Sequence, residues 1–366
     1  MMTTTFPEGN AIVYCEGEFG TTNGKTAHGL VRRCFRYNIL SVVDSKLAGK
    51  DAGMVLDRKK KNIPIFGSIQ DALAASKNAG KRATHLVMGL TPDGGRLGAG
   101  PRKDVVSAIK LGLNIDSGLH DFLSEDPEVS YIAKEYGVKI RDIRKPPHVN
   151  DLHFFSGKIE EVKALKIAYL GTDSAVGKRT SAWILADALN AKGYRTEFIG
   201  TGQTSWMQGA RYGIILDSLV NDFVAGEIEH VTWTAWKEAS PDVIILEGQG
   251  SIMNPAYPGG FELIAAGRPD IIILQHVPMR LEYDGFPGYQ LHPIEKQIHV
   301  LELLSEKPVV ALTINHEGMK IKEIPRICQK LTNQTGLPTF DILENGAEDL
   351  IKILTKYLLK TKEGYV

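Results

Sequence analysis

The sequence has few cysteines and no long apolar run. Its 366 residues include three cysteines, which stand far apart and form no Cys-x-x-Cys spacing: Cys15, Cys34 and Cys328. We therefore expect neither a disulfide framework nor a thiolate metal site. No apolar segment approaches the roughly 18–20 residues that cross a bilayer. The amino terminus has neither the basic start nor the apolar stretch of a signal peptide. These absences predict a cytoplasmic protein with no membrane partner.

An excess of one charge is also absent. The chain has 43 Lys and Arg residues and 43 Asp and Glu residues, so its formal net charge is zero. Proteins that bind nucleic acid usually carry a basic excess or a basic stripe, and we therefore expect no nucleic-acid partner. Hydrophobic residues make up 43% and charged residues 23% of the chain, which is typical of a globular protein. Its length predicts about two domains.

Glycine is plentiful, and its placement predicts the fold. Many of the 37 glycines follow short apolar runs, and these runs alternate with amphipathic stretches. This alternation is typical of βα units around a parallel sheet. Lys145-Pro146-Pro147 interrupts it, because proline lacks the N–H that a helix or a central strand needs. We predict two doubly wound, mainly parallel α/β domains: a Rossmann-like domain at 1–150 and a P-loop NTPase-like domain at 151–366.

The strongest motif lies between a predicted strand at 165–170 and a predicted helix at 178–192. It reads Gly171-Thr172-Asp173-Ser174-Ala175-Val176-Gly177-Lys178-Arg179-Thr180. Small residues let consecutive backbone N–H groups surround an anion, and the amino terminus of the helix adds the positive end of its dipole. The Lys178 side chain supplies a mobile cation for phosphate oxygens. We predict that this loop binds the phosphates of a cofactor.

The residue after Lys178 argues against a metal ion in this loop. In ordinary P-loops that position carries the Ser or Thr hydroxyl that binds Mg²⁺, whereas this chain has Arg179 there and Thr180 one residue later. A guanidinium cannot ligate a cation, but it pairs well with a phosphate. We therefore expect no metal site, and a loop better suited to holding a phosphorylated ligand than to Mg²⁺-dependent hydrolysis.

Further candidate site residues follow later strands. Glu247, in Glu247-Gly248-Gln249-Gly250-Ser251, could hold Mg²⁺ in a nucleotidase or accept a proton in a transferase, or it could cap a turn. His276 follows a buried strand at the edge where doubly wound sheets bind ligands, although a lone histidine is more often structural. We take Glu247 and His276 as the catalytic candidates. Arg280 and Arg211 are candidates for holding a substrate carboxylate.

The first half also has polar residues at its strand ends. The segment 23–29 enters a helix and suggests a second phosphate site, but it lacks the G-x-G-x-x-G fingerprint of dinucleotide binding. Asp44 ends the second predicted strand, where an acidic residue meets a ribose in Rossmann folds. These groups could face the other domain across a cleft or pair with one another, and the sequence leaves both open.

Several segments together resemble a two-domain bacterial and archaeal family long labelled as being of unknown function. In that family a Rossmann-like first half precedes a P-loop second half. The resemblance spans residues 11–350 and rests on these segments: Gly24-Lys25-Thr26-Ala27-His28-Gly29, Ser117-Gly118-Leu119-His120-Asp121-Phe122-Leu123, Asp142-Ile143-Arg144-Lys145-Pro146-Pro147, Gly171-Thr172-Asp173, Asp222-Phe223-Val224-Ala225-Gly226 and Glu247-Gly248-Gln249-Gly250-Ser251. The phosphate loop also resembles the dethiobiotin synthetase and MinD-like branch of P-loop proteins. The chain departs from several family members at Asn254, where they carry histidine.

Some members of this family are D-glutamate or D-amino acid N-acetyltransferases that use acetyl-CoA. The resemblance therefore implies an N-acetyltransferase of D-amino acid catabolism whose loop holds CoA phosphates. Its substrate would be the amino group of an amino acid, D-glutamate or a related D-amino acid. In direct acyl transfer a base such as His276 or Glu247 would take the amine proton, and backbone N–H groups or an arginine would stabilise the oxyanion.

Two other functions stay open at this point. The first is an ATP-dependent ligase or carboxylase of the dethiobiotin synthetase type, in which Lys178, Thr180 and Glu247 would serve ATP with Mg²⁺. The second is a nucleotide-binding switch of the MinD type, which would dimerise with nucleotide. Metal-dependent ATP turnover would distinguish the ligase from the acetyltransferase. As partners we expect a small-molecule amino-acid substrate and further copies of this chain in a homo-oligomer.

Overall fold

The chain divides into two compact units. The computed structural model describes residues 6–362, except for the side chains of Asp93 and of residues 360–362. The first unit contains the described residues up to Pro146 together with Gln203–Ala210. The second contains Pro147–Gly202 and the described residues from Arg211 onward. No single boundary in the sequence describes this division, because a short segment of the second half belongs to the first unit.

The first unit is a parallel sheet covered by helices. Its strands are β1 (Gly9–Tyr14), β2 (Tyr37–Val43), β3 (Ile65–Phe66), β4 (His85–Met88), β5 (Asn114–Ser117) and β6 (Ile140–Asp142). Helices α1 (Lys25–Arg32), α2 (Ala52–Asp57), α3 (Ile69–Asn78), α4 (Ala99–Lys110) and α5 (Pro127–Glu135) join them. The strand order β3-β2-β1-β4-β5-β6 is that of a Rossmann fold. Ile12, Val13, Leu86 and Val87 are wholly buried, as expected for parallel strands covered on both faces.

The second unit is also a parallel sheet between helices. Its strands are β7 (Leu165–Gly171), β8 (Thr196–Gly200), β9 (Tyr212–Gly213), β10 (Val243–Glu247), β11 (Ile271–His276), β12 (Val309–Ile314) and β13 (Thr339–Phe340). The helices that follow in chain order are α6 (Lys178–Ala191), α7 (Gln203–Gln208, in the first unit), α8 (Asn221–Ala239), α9 (Phe261–Gly267), α10 (Ile294–Ser305), α11 (Ile324–Thr335), α12 (Ile342–Asn345) and α13 (Glu348–Lys362). The strand order is β13-β12-β11-β7-β10-β8-β9. Every residue of β7 is buried, which places this strand in the centre of the core.

Helix α7 is held in the first unit by contacts with residues far away in sequence. The hydroxyl oxygens of Thr204 and Thr26 lie 2.7 Å apart, and both side chains are buried. The Arg36 side chain donates from Nε to the carbonyl of Trp206 at 2.7 Å. Its guanidinium also stacks 3.6 Å above the centre of the Trp206 ring. Tertiary contacts of this kind, rather than a sequence pattern, decide where α7 packs.

The two parallel sheets with helices confirm the predicted α/β fold class. Among the described residues, the longest helices are too polar or too short to cross a membrane.

Candidate functional site

The phosphate loop connects the end of β7 to the start of α6. In the sheet β7 lies between β11 and β10, with Gly171 in register with Gln275 and Tyr169 in register with Glu247. The strand ends that carry His276 and Glu247 therefore flank the loop on its two sides. Two strand spacings, about 10 Å, separate them. The structure thus brings the three predicted elements of the second unit to one edge of one sheet, the carboxyl edge at which such sheets bind ligands.

The loop carries polar groups that have no hydrogen-bond partner in the described part of the chain. The backbone N–H groups of Ala175 and Gly177 donate to no acceptor among the described residues. Ala175 has a φ of +50° and Gly177 a φ of +100°, a left-handed backbone that turns amides toward an anion. The Ser174 hydroxyl is buried and also has no partner in the described part of the chain. A bound anion would satisfy several of these donors at once.

Lys178 lies against the loop in a channel that two glycines make possible. Its Nζ donates to the backbone carbonyls of Asp173 and Gly250, each at 2.8 Å, and the side chain is buried. A Cβ on Gly171 would lie 2.8 Å from Lys178 Cδ, and one on Gly248 would lie 2.5 Å from the carbonyl oxygen of Tyr169. A side chain at position 171 would therefore displace Lys178, and one at position 248 would overlap the backbone. The ammonium group lies where loop phosphates would meet it.

Asp173 is wholly buried, and donors from three segments surround its carboxylate. Oδ1 accepts from the backbone N–H of Ser174 at 2.6 Å and from Asn254 Nδ2 at 2.8 Å. Oδ2 accepts from Arg280 Nη1 at 2.9 Å and from the backbone N–H of Asp284 at 2.8 Å. The carboxylate thereby links the phosphate loop to the loops that follow β10 and β11. Any contact of Asp173 with a cofactor would have to come from its backbone.

Glu247 is buried at the end of β10 and bonded to the neighbouring strand end. Its Oε2 accepts from the backbone N–H of Thr201 at 2.8 Å, and its carbonyl accepts from the Thr201 hydroxyl at 3.0 Å. Gln249 Nε2 donates to the Thr201 carbonyl at 2.9 Å. Thr201 therefore orients both Glu247 and Gln249. Thr201 was not among the predicted site residues, although Gly200-Thr201-Gly202 at the end of β8 is a signal that could have found it.

His276 is buried at the end of β11 and hydrogen-bonded to the phosphate loop. Its Nδ1 lies 3.0 Å from the hydroxyl oxygen of Thr172. Burial lowers the pKa of His276 to about 4, and the nearby Arg280 guanidinium acts in the same direction. The imidazole is therefore neutral near neutral pH, a state in which it can donate or accept a hydrogen bond.

The two arginines proposed for a substrate carboxylate are placed differently. Arg280 lies beside the loop with its side chain 9% exposed, and it pairs with Asp173 and, through Nη2, with Glu317 at 3.0 Å. Arg211 is 58% exposed, and its ion-pair partners are Glu197 at 3.9 Å and Glu238 at 3.7 Å. Neither of these acids follows β7, β10 or β11. The structure brings Arg280 to the loop and gives Arg211 no contact with it among the described residues.

Arg179 and Thr180 occupy the first turn of α6, and both are half-buried. Within residues 6–362, no group of three or more His, Cys, Asp and Glu side chains is arranged to hold a metal ion. The donor set of the loop, which is made of amides, a hydroxyl and cationic side chains, fits an anionic group.

The polar strand ends of the first unit bond to their own neighbours. Asp44 is buried; its carboxylate accepts from the backbone N–H groups of Phe19 and Lys46, each at 2.9 Å. In the first turn of α1, the backbone N–H of Ala27 donates to the carbonyl of Gly89 at 3.0 Å. Of the two alternatives left open by the sequence, pairing within the unit is the one these residues adopt.

A Rossmann-like unit and a unit with a phosphate loop between buried acidic and imidazole groups define a two-domain P-loop protein. The second unit matches a family described as "Domain of unknown function (DUF1611_C) P-loop domain" over residues 153–351. The first matches "Domain of unknown function (DUF1611_N) Rossmann-like domain" over residues 45–146. The chain belongs to the DUF1611 family, which confirms the resemblance drawn from its motifs.

Three similar proteins extend this result. The chain is 28% identical over 300 residues to a D-glutamate N-acetyltransferase of Tritonibacter scottomollicae, a match that covers 79% of this chain and 86% of the relative. It is 29% identical over 276 residues to a D-glutamate N-acetyltransferase of a Pseudoalteromonas species, with 74% and 80% covered. The crystal structure of a DUF1611 family protein from Anabaena variabilis superposes with a TM-score of 0.86 at 25% identity and covers 95% of this chain and all of that one.

Proposed function

We propose that this protein is an acetyl-CoA-dependent N-acetyltransferase that acts on the amino group of an amino acid, D-glutamate or a related D-amino acid. Two relatives that each match about three quarters of the chain carry the name D-glutamate N-acetyltransferase and support the reaction class. The observation in the structure that supports a phosphorylated acetyl donor is the loop. Its amides at Ala175 and Gly177, which have no acceptor within residues 6–362, lie beside the Lys178 ammonium.

The groups around the loop suit direct acyl transfer. Acetyl-CoA would supply an acetyl thioester. The amine nitrogen forms a bond to the acetyl carbon, the carbon–sulfur bond breaks, one amine proton passes to a base, and the thiolate leaves and takes up a proton. Glu247 or His276 would serve as the base, and a hydrogen-bond donor would stabilise the oxyanion. Arg280, which lies beside the loop, would contribute its positive charge to the site.

A ligand screen tests the proposed donor. The thermal stability of the pure protein is measured with acetyl-CoA, CoA, and ATP with and without Mg²⁺. A ligand at 100 times its dissociation constant contributes about 2.7 kcal/mol of stability. We expect stabilisation by acetyl-CoA and CoA without metal. Stabilisation by ATP with Mg²⁺ and not by acetyl-CoA would overturn the proposal in favour of the ligase.

The Lys178→Ala variant tests the role of the loop. Hydrogen bonds to charged groups are worth about 1.5–3 kcal/mol, so we expect the KM for acetyl-CoA to rise about 10- to 100-fold. Thiol release with D-glutamate as acceptor is the assay. Lys192→Ala is the matched control, because Lys192 lies at the other end of α6 and pairs with Glu348 at 2.6 Å. The control should leave the KM unchanged.

A further inference from the structure

The hydrogen bond between Thr172 and His276 is buried and fixed by the sheet. Thr172 Oγ1 and His276 Nδ1 are 3.0 Å apart, Thr172 is wholly buried, and His276 is 8% exposed. The backbone N–H of Thr172 donates to the carbonyl of Gln275 at 3.0 Å, and that of Asn315 donates to the carbonyl of His276 at 2.8 Å. The backbone is therefore held in place at both residues of this side-chain hydrogen bond.

The hydroxyl proton decides the direction of this bond. Within residues 6–362, His276 Nδ1 is the sole partner of the Thr172 hydroxyl. A buried hydroxyl has one proton, which needs an acceptor. If Nδ1 carried a proton, the hydroxyl would accept it and its own proton would have no acceptor. If Nδ1 is unprotonated, the hydroxyl donates to it and both groups are satisfied.

The second ring nitrogen then carries the proton. A neutral imidazole has one N–H and one acceptor nitrogen, so an accepting Nδ1 leaves the proton on Nε2. Nε2 makes no hydrogen bond with a described residue and is not among the fully buried side-chain atoms without a partner. The charged group facing the ring is Arg280, whose guanidinium disfavours an imidazolium. The ring therefore presents a neutral N–H donor.

We propose that His276 is a hydrogen-bond donor, through Nε2–H, to the carbonyl oxygen that becomes negative during acyl transfer, and that Thr172 is the positioning residue that holds this tautomer. The inference rests on the proposed acetyl transfer. The Nδ1 lone pair is engaged by Thr172 and Nε2 carries the proton, so His276 has no nitrogen left to act as a base. Of the two catalytic candidates, Glu247 is then the one that takes the amine proton.

Nitrogen NMR of the wild-type protein tests the tautomer without any ligand. In a long-range ¹H–¹⁵N spectrum near neutral pH, we expect His276 Nδ1 at the shift of an unprotonated nitrogen and Nε2 at that of a protonated one. The chain contains both internal references. His28 Nε2 lies 2.8 Å from the Phe19 carbonyl, which requires a proton on Nε2, and His316 Nδ1 lies 2.5 Å from Asp341 Oδ2, which requires one on Nδ1. A His276 spectrum with the proton on Nδ1 would overturn the inference.

Variants at His276 separate a donor from a base. Removal of one oxyanion-hole donor lowers kcat by about 100- to 1000-fold, and we expect this loss for His276→Ala. His276→Gln keeps an N–H donor and cannot act as a base, so it should recover at least about tenfold of that loss. Equal loss in the two variants would show that His276 is the base and would contradict the inference.

Variants at Thr172 test the positioning role. Thr172→Val removes the hydroxyl, and we expect a lower kcat with little change in the KM for acetyl-CoA, together with a mixed tautomer in the NMR spectrum. Thr172→Ser should restore both. The control is Thr232→Val, which removes another wholly buried hydroxyl, one that donates to the Ile228 carbonyl inside α8. Full activity of Thr172→Val would overturn the positioning role.

Failure of this inference is distinguishable from failure of the proposed function. A wild-type protein that transfers no acetyl group would end the proposed function, whereas the tautomer is read from the free protein. An active wild type with the proton on His276 Nδ1 would end only this inference. Folding of each variant is checked by its thermal transition.

Discussion

At the scale of single residues, hydrogen bonds decide which polar side chains of the site can meet a ligand. Asp173 and Arg280 both lie at the phosphate loop, yet they form an ion pair with each other, 2.9 Å long. The side chain of Asp173 is 0% exposed and that of Arg280 is 9% exposed. Lys178 Nζ donates to two backbone carbonyls, those of Asp173 and Gly250, and phosphate oxygens can replace such neutral acceptors. We therefore expect Lys178 to meet a phosphate through its Nζ, whereas Arg280 is held by its ion pair with Asp173.

The Asp173→Asn variant tests this division of roles. It removes the buried carboxylate that pairs with Arg280, whose other ion-pair partner is the half-exposed Glu317, and breaking a buried pair typically costs about 3–5 kcal/mol. We expect amide hydrogen exchange to become faster in all three segments that Asp173 connects: 173–177, 253–257 and 280–285. The affinity for CoA should fall at least about tenfold.

Asp270→Asn is the matched control for Asp173→Asn. Asp270 forms another buried ion pair, 3.2 Å from Lys166 Nζ, at the amino-terminal edge of the same sheet. This control should lower the free energy of unfolding and leave the affinity for CoA unchanged. An equal loss of affinity in both variants would mean that the effect is general destabilisation.

The cysteines should not take part in the reaction. Burial raises the pKa of Cys34 and of Cys328 to about 11, and it raises the pKa of the wholly buried Cys15 still further. Since the thiolate is the nucleophile, alkylation of the folded protein near neutral pH should be slow, and activity should survive it. Mass spectrometry of native and unfolded samples provides the measurement. Rapid labelling of one cysteine with loss of activity would indicate an acyl-enzyme instead.

At the scale of secondary structure elements, the packing of α8 explains the glycine in the segment 222–226, one of the segments that carry the resemblance to the family. Glu227 and Glu229 are buried on this helix, and both accept hydrogen bonds from the segment 153–156. Glu227 accepts from the backbone N–H of His153 at 2.7 Å, and Glu229 accepts from the backbone N–H of Ser156 at 2.6 Å. Gly226 lets that chain come close, since a Cβ there would lie 1.9 Å from the His153 carbonyl oxygen. The segment 222–226 therefore has a packing role.

Gly226→Ala should destabilise the second unit. The new methyl group overlaps backbone atoms that cannot move aside like a flexible side chain, and overpacking of this kind costs about 1–3 kcal/mol. Chemical denaturation measures the change. Gly100→Ala in α4 is the control, because a Cβ there meets nothing within 4 Å. That substitution should stabilise the protein by about 0.4–1 kcal/mol. An unchanged free energy of unfolding in the Gly226→Ala variant would show that the segment around His153 packs elsewhere in solution.

At the scale of the whole molecule, the first unit is completed by contacts between residues that lie far apart in the chain. Glu8 forms ion pairs with both Arg36 and Arg141, and Arg141 Nε donates to the buried Asp116 at 2.6 Å. The guanidinium groups of Arg36 and Arg141 lie 3.6 Å and 5.1 Å from the centre of the Trp206 ring. Helix α7 is therefore part of the folded first unit and not an appendage to it.

Trp206→Ala should lower the stability of the first unit selectively. It removes apolar contact area and two cation–π contacts, together about 2 kcal/mol. Hydrogen exchange measured by mass spectrometry should show loss of protection in the first unit, around α1 and β2. Protection of β7 and β10 should persist. A uniform loss in both units would mean that they unfold as one, contrary to this prediction.

Much of the fold could be predicted because it depends on local patterns. The strand predicted at 309–314 follows from a short apolar run and is present as Val309–Ile314. Helix α7, with the sequence Gln-Thr-Ser-Trp-Met-Gln, has no such pattern. Its partners Thr26 and Thr204 are 178 positions apart. A window of ten or fifteen residues carries no information about such a contact.

The sequence by itself determined the α/β class, the family and the position of the phosphate loop. Periodicity, glycine placement and the Gly-x-x-x-x-x-Gly-Lys spacing are all contained in neighbouring residues. Only the tertiary structure decided what the polar residues of the site do. Asp173 meets Arg280 across 107 positions, and Thr172 meets His276 across 104. Whether a buried group is already hydrogen-bonded or still available to a ligand depends on which partner the fold brings to it. A single sequence does not contain the distance between two such groups in the folded chain.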